Sequence, residues 1–282
     1  MTAEVLFVLI KVNLVVALAV LVIALIRGPV RRLCGPDVAY SLWILAPWFG
    51  FAELFASLGF PIPISFAVSE DLVLAAGVIW AGGSVVSLTL LALGQQRVLR
   101  RARSGRMGPA VVGILRPRVF LPTDFATRFN AGEQAVIRFH ERAHLLRHDV
   151  LANAVMALAR SILWFNPMVH LAAGLMRQDQ EMACDATVLE ERPEQRRRYA
   201  ATLLKTQLVH DKSLGTACAW MGAHPLETRI RAVAQGRSDP FSEVSGTLFL
   251  AAVGVCLMLA FAVQGDRVFH DLVQTQFASP LR

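Results

Sequence analysis

Charged residues are scarce in this chain and cysteines are few. Only 17% of the 282 residues are charged, whereas 55% are hydrophobic and the mean hydropathy is +0.50. So small a charged fraction excludes an ordinary soluble domain and indicates several membrane spans beside one modest polar domain. The four cysteines lie far apart and form no CxxC pair. We therefore expect neither a disulfide framework nor a cysteine metal site.

The basic residues do not form a pattern typical of a nucleic-acid-binding protein. The net charge is +7, and the arginines cluster at 27–32, 97–106 and 192–198. Two of these clusters flank apolar runs, which is the pattern of a cytoplasmic membrane face and not of a nucleic-acid groove. The lipid bilayer is thus an expected partner, and no direct nucleic-acid binding is expected.

Four apolar runs predict membrane-spanning helices, each near the length that a bilayer requires. They lie at about 5–26, 38–60, 72–93 and 247–264. A cleavable signal peptide is the rival for the first run, but no basic stretch precedes it and it is too long. Lys11 is expected to extend towards the membrane surface. In the second run, Pro47 predicts a kink and Glu53 a carboxylate that faces other helices.

The distribution of charge around these runs predicts the topology. Arginines follow the first and third runs, and acidic residues precede the third run. The positive-inside rule then places the amino terminus outside the cell membrane and residues 97–246 in the cytoplasm. We expect 1–96 to form three spans, 247–264 a fourth, and 265–282 a short tail outside.

One motif carries the chemistry, His140-Glu141-Arg142-Ala143-His144. On a helix the two histidines, four positions apart, share one face and can reach one metal ion. Zinc suits such a site, because its fourth position can hold a water whose pKa the metal lowers. Glu141 could take the proton from that water. An ordinary charged helix can show the same five residues, so the surrounding sequence must decide.

A small polar domain surrounds the motif. Residues 110–115 and 119–121 predict a β-hairpin, which could pair with an extended substrate or could merely cover the core. Asn130 and Glu133 predict the start of the helix that carries the motif, from Ala131 through Arg147. The charges on that helix argue against an active site within the hydrocarbon.

Two further helices are expected after the motif. Val150–Phe165 is apolar but short, which favours a core or interfacial helix over a span. In the next helix, from Pro167 to about Glu191, Glu181 and Asp185 share a face. Glu181 could then bind the metal while Asp185 accepts a hydrogen bond from a ligand histidine.

Several other residues are candidates for the site or lie near it. His170 is the alternative third ligand, and a solvated carboxylate pair is the ordinary interpretation of two acidic residues on one face. His148 is too far along the helix from His140 to share an ion, and Asp149 is expected to be solvated or to orient the helix end. The remaining candidates, for stabilising an oxyanion or for a structural role, are Tyr199, His210 and His224.

These residues together resemble the integral-membrane zinc metallopeptidases related to the β-lactam-sensing receptors BlaR and MecR. The resemblance rests on the metal motif and on four segments around it. They are Gly108-Pro109-Ala110-Val111-Val112-Gly113, Arg116-Pro117-Arg118-Val119-Phe120-Leu121-Pro122, Trp164-Phe165-Asn166-Pro167 with Arg177, and Glu181-Met182-Ala183-Cys184-Asp185. The segment His224-Pro225-Leu226-Glu227-Thr228-Arg229-Ile230 is also similar to a family motif.

The resemblance implies a mainly α, multi-pass helical membrane protein with a cytoplasmic α+β zinc-peptidase domain built from a small β-hairpin and metal-binding helices. It implies one Zn²⁺ held by His140, His144 and Glu181, with Glu141 as the catalytic base. Asp185 then lies behind the ligands. Arg142 departs from the family, which more often has an apolar residue there.

The predicted function is regulated proteolysis of a cytoplasmic protein, of the chain itself, or of both. By family analogy the substrate could be a DNA-binding transcriptional repressor. Only residues 265–282 follow the last span, so no direct β-lactam binding is expected. One alternative is a catalytically silent membrane signalling protein with the same fold. Another is a housekeeping zinc protease of the Ste-type and heat-shock group, against which the Arg-Pro-Arg-Val-Phe-Leu-Pro and Trp-Phe-Asn-Pro segments count.

Overall fold

The described part of the chain is mainly helical and contains one two-stranded sheet. The structure is a computed structural model that describes residues 3–59, 69–210, 225–235 and 246. The mainly α fold with a small β-hairpin, expected from the sequence, is confirmed. The fourth predicted span at 247–264 and the tail at 265–282 lie outside the described residues.

Among the described residues, three helical segments are long and apolar enough to cross a membrane, and the chain is a membrane protein. Helix α1 spans Ala3–Cys34 and helix α4 spans Glu70–Arg103. The segment between them is divided into α2, Pro36–Ser41, a 3₁₀ turn, and α3, Leu45–Gly59. The 3₁₀ turn lies just before Pro47, which has no N–H to bond a carbonyl in that turn.

The side chain of Lys11 does not extend towards the membrane surface as predicted. Its ammonium lies 2.7 Å from a carboxylate oxygen of Glu53 and donates to Ser57 Oγ at 3.0 Å, so α1 and α3 are joined by an ion pair. A charge at this depth is less costly when it is paired inside the helix bundle than when it is left alone in lipid. The predicted inward-facing carboxylate at Glu53 is thereby explained.

The polar domain begins after α4 with an antiparallel pair of short strands, β1, Ala110–Val112, and β2, Arg118–Phe120. Gly113 has φ of +112°, a conformation that few other residues adopt, and it lets the chain turn towards β2. The remaining helices follow in order. They are α5 Phe125–Arg128, α6 Ala131–Leu146, α7 Asp149–Ile162, α8 Pro167–Glu191, α9 Arg196–His210 and α10 Pro225–Gln235.

Helix α6 starts where the sequence predicted. The side chain of Asn130 accepts from the backbone N–H of Glu133 at 3.0 Å, and the Glu133 carboxylate accepts from the backbone N–H of Asn130 at 2.9 Å. This reciprocal capping satisfies two of the free N–H groups at the helix start. Lys205 of α9 also binds Glu133, which ties the beginning of α6 to the rest of the domain.

Three apolar clusters lie among the described residues, and two of them join the helices of the membrane part and of the polar domain. The larger core joins α1, the 3₁₀ turn and the first half of α8, and it includes Val20, Ile23, Trp43, Val169 and Ala172. The smaller core joins α6, α8, α9 and α10 through Val136, Val188, Tyr199 and Val233. Because α8 belongs to both of these cores, it connects the membrane part of the chain with the polar domain.

A buried carboxylate reinforces this connection. Asp179 on α8 has no solvent exposure, and its oxygens lie 2.8 Å from Arg27 Nη1 and 2.9 Å from Arg31 Nη1. Trp43 Nε1 also donates to it at 2.9 Å. A buried charge needs such partners, so α8 cannot separate from α1 without exposing an unpaired carboxylate.

Close packing of α4 against the α7–α8 connection yields a stability prediction. A Cβ added at Gly83 would lie 2.2–2.4 Å from the Trp164 ring, whereas one added at Gly82 would meet nothing within 4 Å. We expect Gly83→Ala to lower the free energy of unfolding by about 1–3 kcal/mol, because the ring must move. Gly82→Ala is the control and should be neutral or stabilising by up to about 1 kcal/mol. Denaturant titration in detergent micelles measures both, and equal stability of the two variants would contradict the packing.

Candidate metal centre

Helix α6 brings the two motif histidines together, and α8 adds a carboxylate. His140 Nε2 and His144 Nε2 lie 3.1 Å apart, with the two rings perpendicular. Glu181 Oε2 is 3.5 Å from His140 Nε2, and Glu181 Oε1 is 3.7 Å from His144 Nε2. The three residues expected from the sequence therefore converge on one point.

The spacing of these atoms fits a small divalent ion. Ligand atoms about 2.0–2.1 Å from a tetrahedral zinc ion are separated from one another by roughly 3.3–3.4 Å. The three contacts among His140, His144 and Glu181 bracket that value, from 3.1 to 3.7 Å. Little rearrangement would be needed for all three to bind one ion.

The hydrogen bonds behind the histidines fix which ring nitrogen carries the proton. An ionised Asp149 only accepts, so the 2.7 Å contact makes His144 Nδ1 the protonated nitrogen. Tyr199 donates its hydroxyl proton to Asp185, so the same oxygen, 2.9 Å from His140 Nδ1, accepts from that nitrogen. Both Nε2 atoms are left with lone pairs that lie 3.1 Å apart.

Lone pairs this close to each other and to a carboxylate require a positive charge between them. Burial lowers the pKa of His144, but its hydrogen bond to Asp149 and the charges of Glu181 and Glu141 outweigh burial and raise that pKa. The site thus attracts a cation, either a proton or a metal ion. A divalent ion is the cation that both imidazoles and the carboxylate can bind at once.

Glu141 lies between the two histidines on α6 and is only 7% exposed. Burial raises its pKa above the ordinary value of a glutamate, although the nearby histidines act in the opposite direction. A carboxylate with a raised pKa is a better proton acceptor near neutral pH than a solvated one.

Arg229 of α10 is a site residue that sequence reasoning did not place. Its guanidinium binds both oxygens of Asp185, at 2.7 and 2.8 Å, and lies 2.9 Å from Glu181 Oε2. Burial alone would lower the pKa of Arg229, but Asp185 and Glu181 raise it, so the side chain stays charged. The similarity of residues 224–230 to a family motif was the one feature of the sequence that pointed to this segment. It did not indicate that Arg229 would contact Asp185 and Glu181.

A second set of possible ligands lies beside the first. His144 Nδ1, Asp149 and Cys184 Sγ also come within reach of one another. Burial and the neighbouring Asp149 raise the pKa of the Cys184 thiol well above its ordinary value. His144 Nδ1 carries the proton that it donates to Asp149 and has no lone pair for a metal, so the His140, His144 and Glu181 set is favoured.

Two predictions about the residues behind the ligands need correction. Asp149 is not solvated: it is 1% exposed and binds His144 directly. Asp185 lies 3.6 Å from His140 Nδ1, and Tyr199 makes the hydrogen bonds that connect the two. Tyr199 therefore supports a histidine from behind and does not face the point where the three ligands converge.

The other candidates lie away from the centre or outside the described residues. His148 is exposed, and His170 contacts Arg160 and the Trp164 carbonyl at the far end of α8. Arg177 is exposed on α8. His224 and the side chain of His210 lie outside the described residues.

Helix α2, at the start of the second membrane segment, is connected to the metal centre by hydrogen bonds through Asp149. Tyr40 of α2 donates to Asp149 Oδ1 at 3.0 Å, while Asp149 Oδ2 binds His144. Gln180 of α8 donates to the Tyr40 oxygen at 2.9 Å, and Arg147 pairs with Asp37 of α2. A continuous chain of hydrogen bonds thus joins a membrane helix to a histidine of the centre.

Comparison with known proteins identifies a family for the segment that contains the metal centre. The profile of the family described as BlaR1 peptidase M56 matches residues 102–233. The methicillin resistance mecR1 protein of Staphylococcus aureus is 29% identical over 112 residues, which are 39% of this chain and 19% of that protein. The mecR1 protein of Staphylococcus epidermidis gives the same values.

A further relative is the regulatory protein BlaR1 of Bacillus licheniformis, 34% identical over 82 residues, which are 29% of this chain and 14% of that protein. The matches span less than a fifth of the length of these relatives. The family profile, at residues 102–233, includes the metal motif. Residues 102–233 therefore match a BlaR1 peptidase M56 domain, and the chain is similar to the BlaR/MecR-type regulatory proteins.

Proposed function

We propose that this membrane metallopeptidase-like protein is a zinc endopeptidase that cleaves a cytoplasmic protein, itself, or both in regulated proteolysis. The observation that carries the proposal is the convergence of His140 Nε2, His144 Nε2 and Glu181, with both Nδ1 protons directed away from the centre. This donor set leaves a fourth position for water, as in catalytic zinc sites. The family match supports the same chemistry.

When bound, zinc would polarise the attacked carbonyl group and lower the pKa of a water. The chain supplies the remaining roles. Glu141, buried beside the histidines and with a raised pKa, accepts the proton of the attacking water and returns it to the leaving amine. His140, His144 and Glu181 hold the ion in place.

A ring of residues behind the ligands acts as positioning groups. Asp149 holds the His144 ring, and Tyr199 holds the His140 ring while bonded to Asp185. Arg229 fixes the Asp185 and Glu181 carboxylates relative to each other. Such partners fix the tautomer and the orientation of the ligands, and their loss weakens metal binding.

The proposed arrangement in the membrane follows the arginines. Arg27, Arg31 and Arg32 mark one end of α1, and Arg97 to Arg103 mark the corresponding end of α4. These ends lie on the side of the peptidase domain, which the positive-inside rule places in the cytoplasm of the cell. A cytoplasmic regulator, such as a DNA-binding repressor, is then within reach, and the BlaR1 relative is named as a regulatory protein.

The first prediction separates catalysis from metal binding. Glu141→Gln should retain zinc, because Glu141 is not a ligand, but should reduce peptide cleavage by at least about 10²-fold. Zinc content of the purified chain and the new peptide termini in cells that carry each variant are the measurements.

Glu227→Gln is the matched control, since Glu227 is an exposed glutamate paired only with Arg231 in the described contacts. It should behave as the wild type. Undiminished cleavage by zinc-loaded Glu141→Gln would reject the enzymatic mechanism, and retained signalling without cleavage would favour a silent signalling protein.

The second prediction concerns the support of His144. Asp149→Asn removes the charge that holds Nδ1–H and should weaken zinc binding by about 10–100-fold. Competition with a calibrated chelator gives the affinity. Asp124→Asn, at a half-exposed aspartate paired with Arg128, should leave it unchanged. Equal affinities for all three proteins would show that Asp149 does not position the ligand.

A further inference from the structure

Helix α7 and the first half of α8 form a helical hairpin whose tip, Leu163–Asn166, lies against the middle of α4. Trp164 Nε1 donates to the Trp80 carbonyl at 3.2 Å, and Trp80 Nε1 donates to the Ile162 carbonyl at 3.0 Å. The Trp164 ring also covers Gly83. These contacts fix the tip to the centre of a membrane-length helix.

The same tip contacts the middle of α1. Asn166 Nδ2 donates to the Asn13 carbonyl at 3.3 Å and to its side-chain oxygen. Leu163 is buried in the core that contains Val16 and Val20 of α1. Two separate helices of membrane-spanning length therefore contact the hairpin tip, each at a position well inside its own length.

Helix geometry converts these contacts into a depth. Fourteen positions separate Asn13 from Arg27 on α1, and fourteen separate Gly83 from Arg97 on α4. At 1.5 Å per residue each distance is about 21 Å, measured from the arginines that mark the membrane surface. The hydrocarbon layer is about 30 Å thick.

We infer that the α7–α8 hairpin is embedded in the bilayer to roughly two-thirds of its hydrocarbon depth, entering and leaving on the side of the peptidase domain. The inference rests on the proposed spans α1 and α4 but not on any catalytic activity. The sequence-based expectation of a core or interfacial helix at 150–165 is replaced by a helix that runs through one side of the membrane.

The outer face of α7 has the chemistry of a lipid-facing helix. Leu151, Val155, Leu158 and Ile162 follow one another at helical spacing and are 38–55% exposed. They continue the exposed apolar face of α4, to which α7 is packed. Such a stripe would be unfavourable in water and fits the acyl chains that surround α4.

Arg160 is the residue whose charge is unfavourable in the hydrocarbon layer, and His170 of the same hairpin is its hydrogen-bond partner. His170 Nε2 binds the Trp164 carbonyl at 2.8 Å, so its Nδ1 is free to accept from Arg160 Nε at 3.3 Å. A charged group inside a membrane is retained when it faces such polar partners.

The other end of α7 fixes the level of the metal centre. Thirteen positions separate Ile162 from Asp149, a rise of about 20 Å. Asp149 and the His144 ring that it holds therefore emerge close to the membrane surface, level with the arginines. The centre would meet substrates at the boundary between lipid and cytoplasm.

Spin labels on the full chain in phospholipid vesicles test the inference. Single cysteines replace Leu151, Val155 and Ile162 in a background in which Cys34, Cys218 and Cys256 are changed to alanine, so that the fully buried Cys184 is the only other cysteine. Collisions of each label with lipid-soluble oxygen and with a water-soluble nickel chelate give its depth. Val78→Cys on α4 is the membrane control, and Leu204→Cys, a 41% exposed leucine on α9, is the aqueous control.

The expected depth increases from residue 151 to residue 162 by about 16 Å, the rise of eleven helical residues. The labels at 155 and 162 could collide with nickel as often as the label at 204 while the label at 78 stays protected. That result would overturn the embedding of the hairpin but not the proposed spans. A label at 78 that is also open to nickel would instead contradict the proposed spans.

A measurement on the unaltered chain covers the case in which labelled variants fail to fold. Phospholipid with a photoreactive group midway along its acyl chain should crosslink to peptides from residues 150–166, as well as to those from α1 and α4. Crosslinks on α1 and α4, with none on 150–166, would reject the embedded hairpin.

Discussion

Two imidazole nitrogens and a carboxylate face one another at 3.1–3.7 Å, and both imidazole protons are engaged on the opposite side of their rings. Mutual repulsion of these groups must be offset by a cation. The rest of the domain is arranged so that the groups cannot move apart. Asp149 and Tyr199 hold the rings, and Arg229 holds the carboxylate.

Helix α8 is the element through which the membrane part and the proposed site depend on each other. Its N-cap residue, Asn166, is bonded to Asn13 of α1, and its Asp179 is held by Arg27 and Arg31 of α1. Glu181 follows two residues later. The α2 residue Tyr40 reaches His144 by a second route, through Asp149. A change in the packing of the spans would therefore shift the ligand side chains, because closely packed helices have few alternative arrangements.

The sequence predicted the features that depend on local spacing. The i, i+4 histidines, the cap at Asn130 and the start of α8 follow from helical periodicity and capping, and the structure contains all three. Contacts distant in sequence were not predictable in this way, such as the pairing of Arg229 with Asp185. The contact between Asp149 and His144 was not predicted, because a residue five positions further along a continuous helix would point away from His144. In the structure His148 has a left-handed backbone conformation, with φ of 56°, which ends α6 and brings Asp149 next to His144.

X-ray absorption at the zinc edge of the purified full chain tests the central claim most directly. The account predicts one zinc ion per chain with two imidazole nitrogens and carboxylate or water oxygens at about 2.0–2.2 Å. A sulfur ligand at about 2.3 Å would assign the ion to Cys184 and its neighbours instead. That result, or a chain that binds no zinc at all, would contradict the site formed by His140, His144 and Glu181.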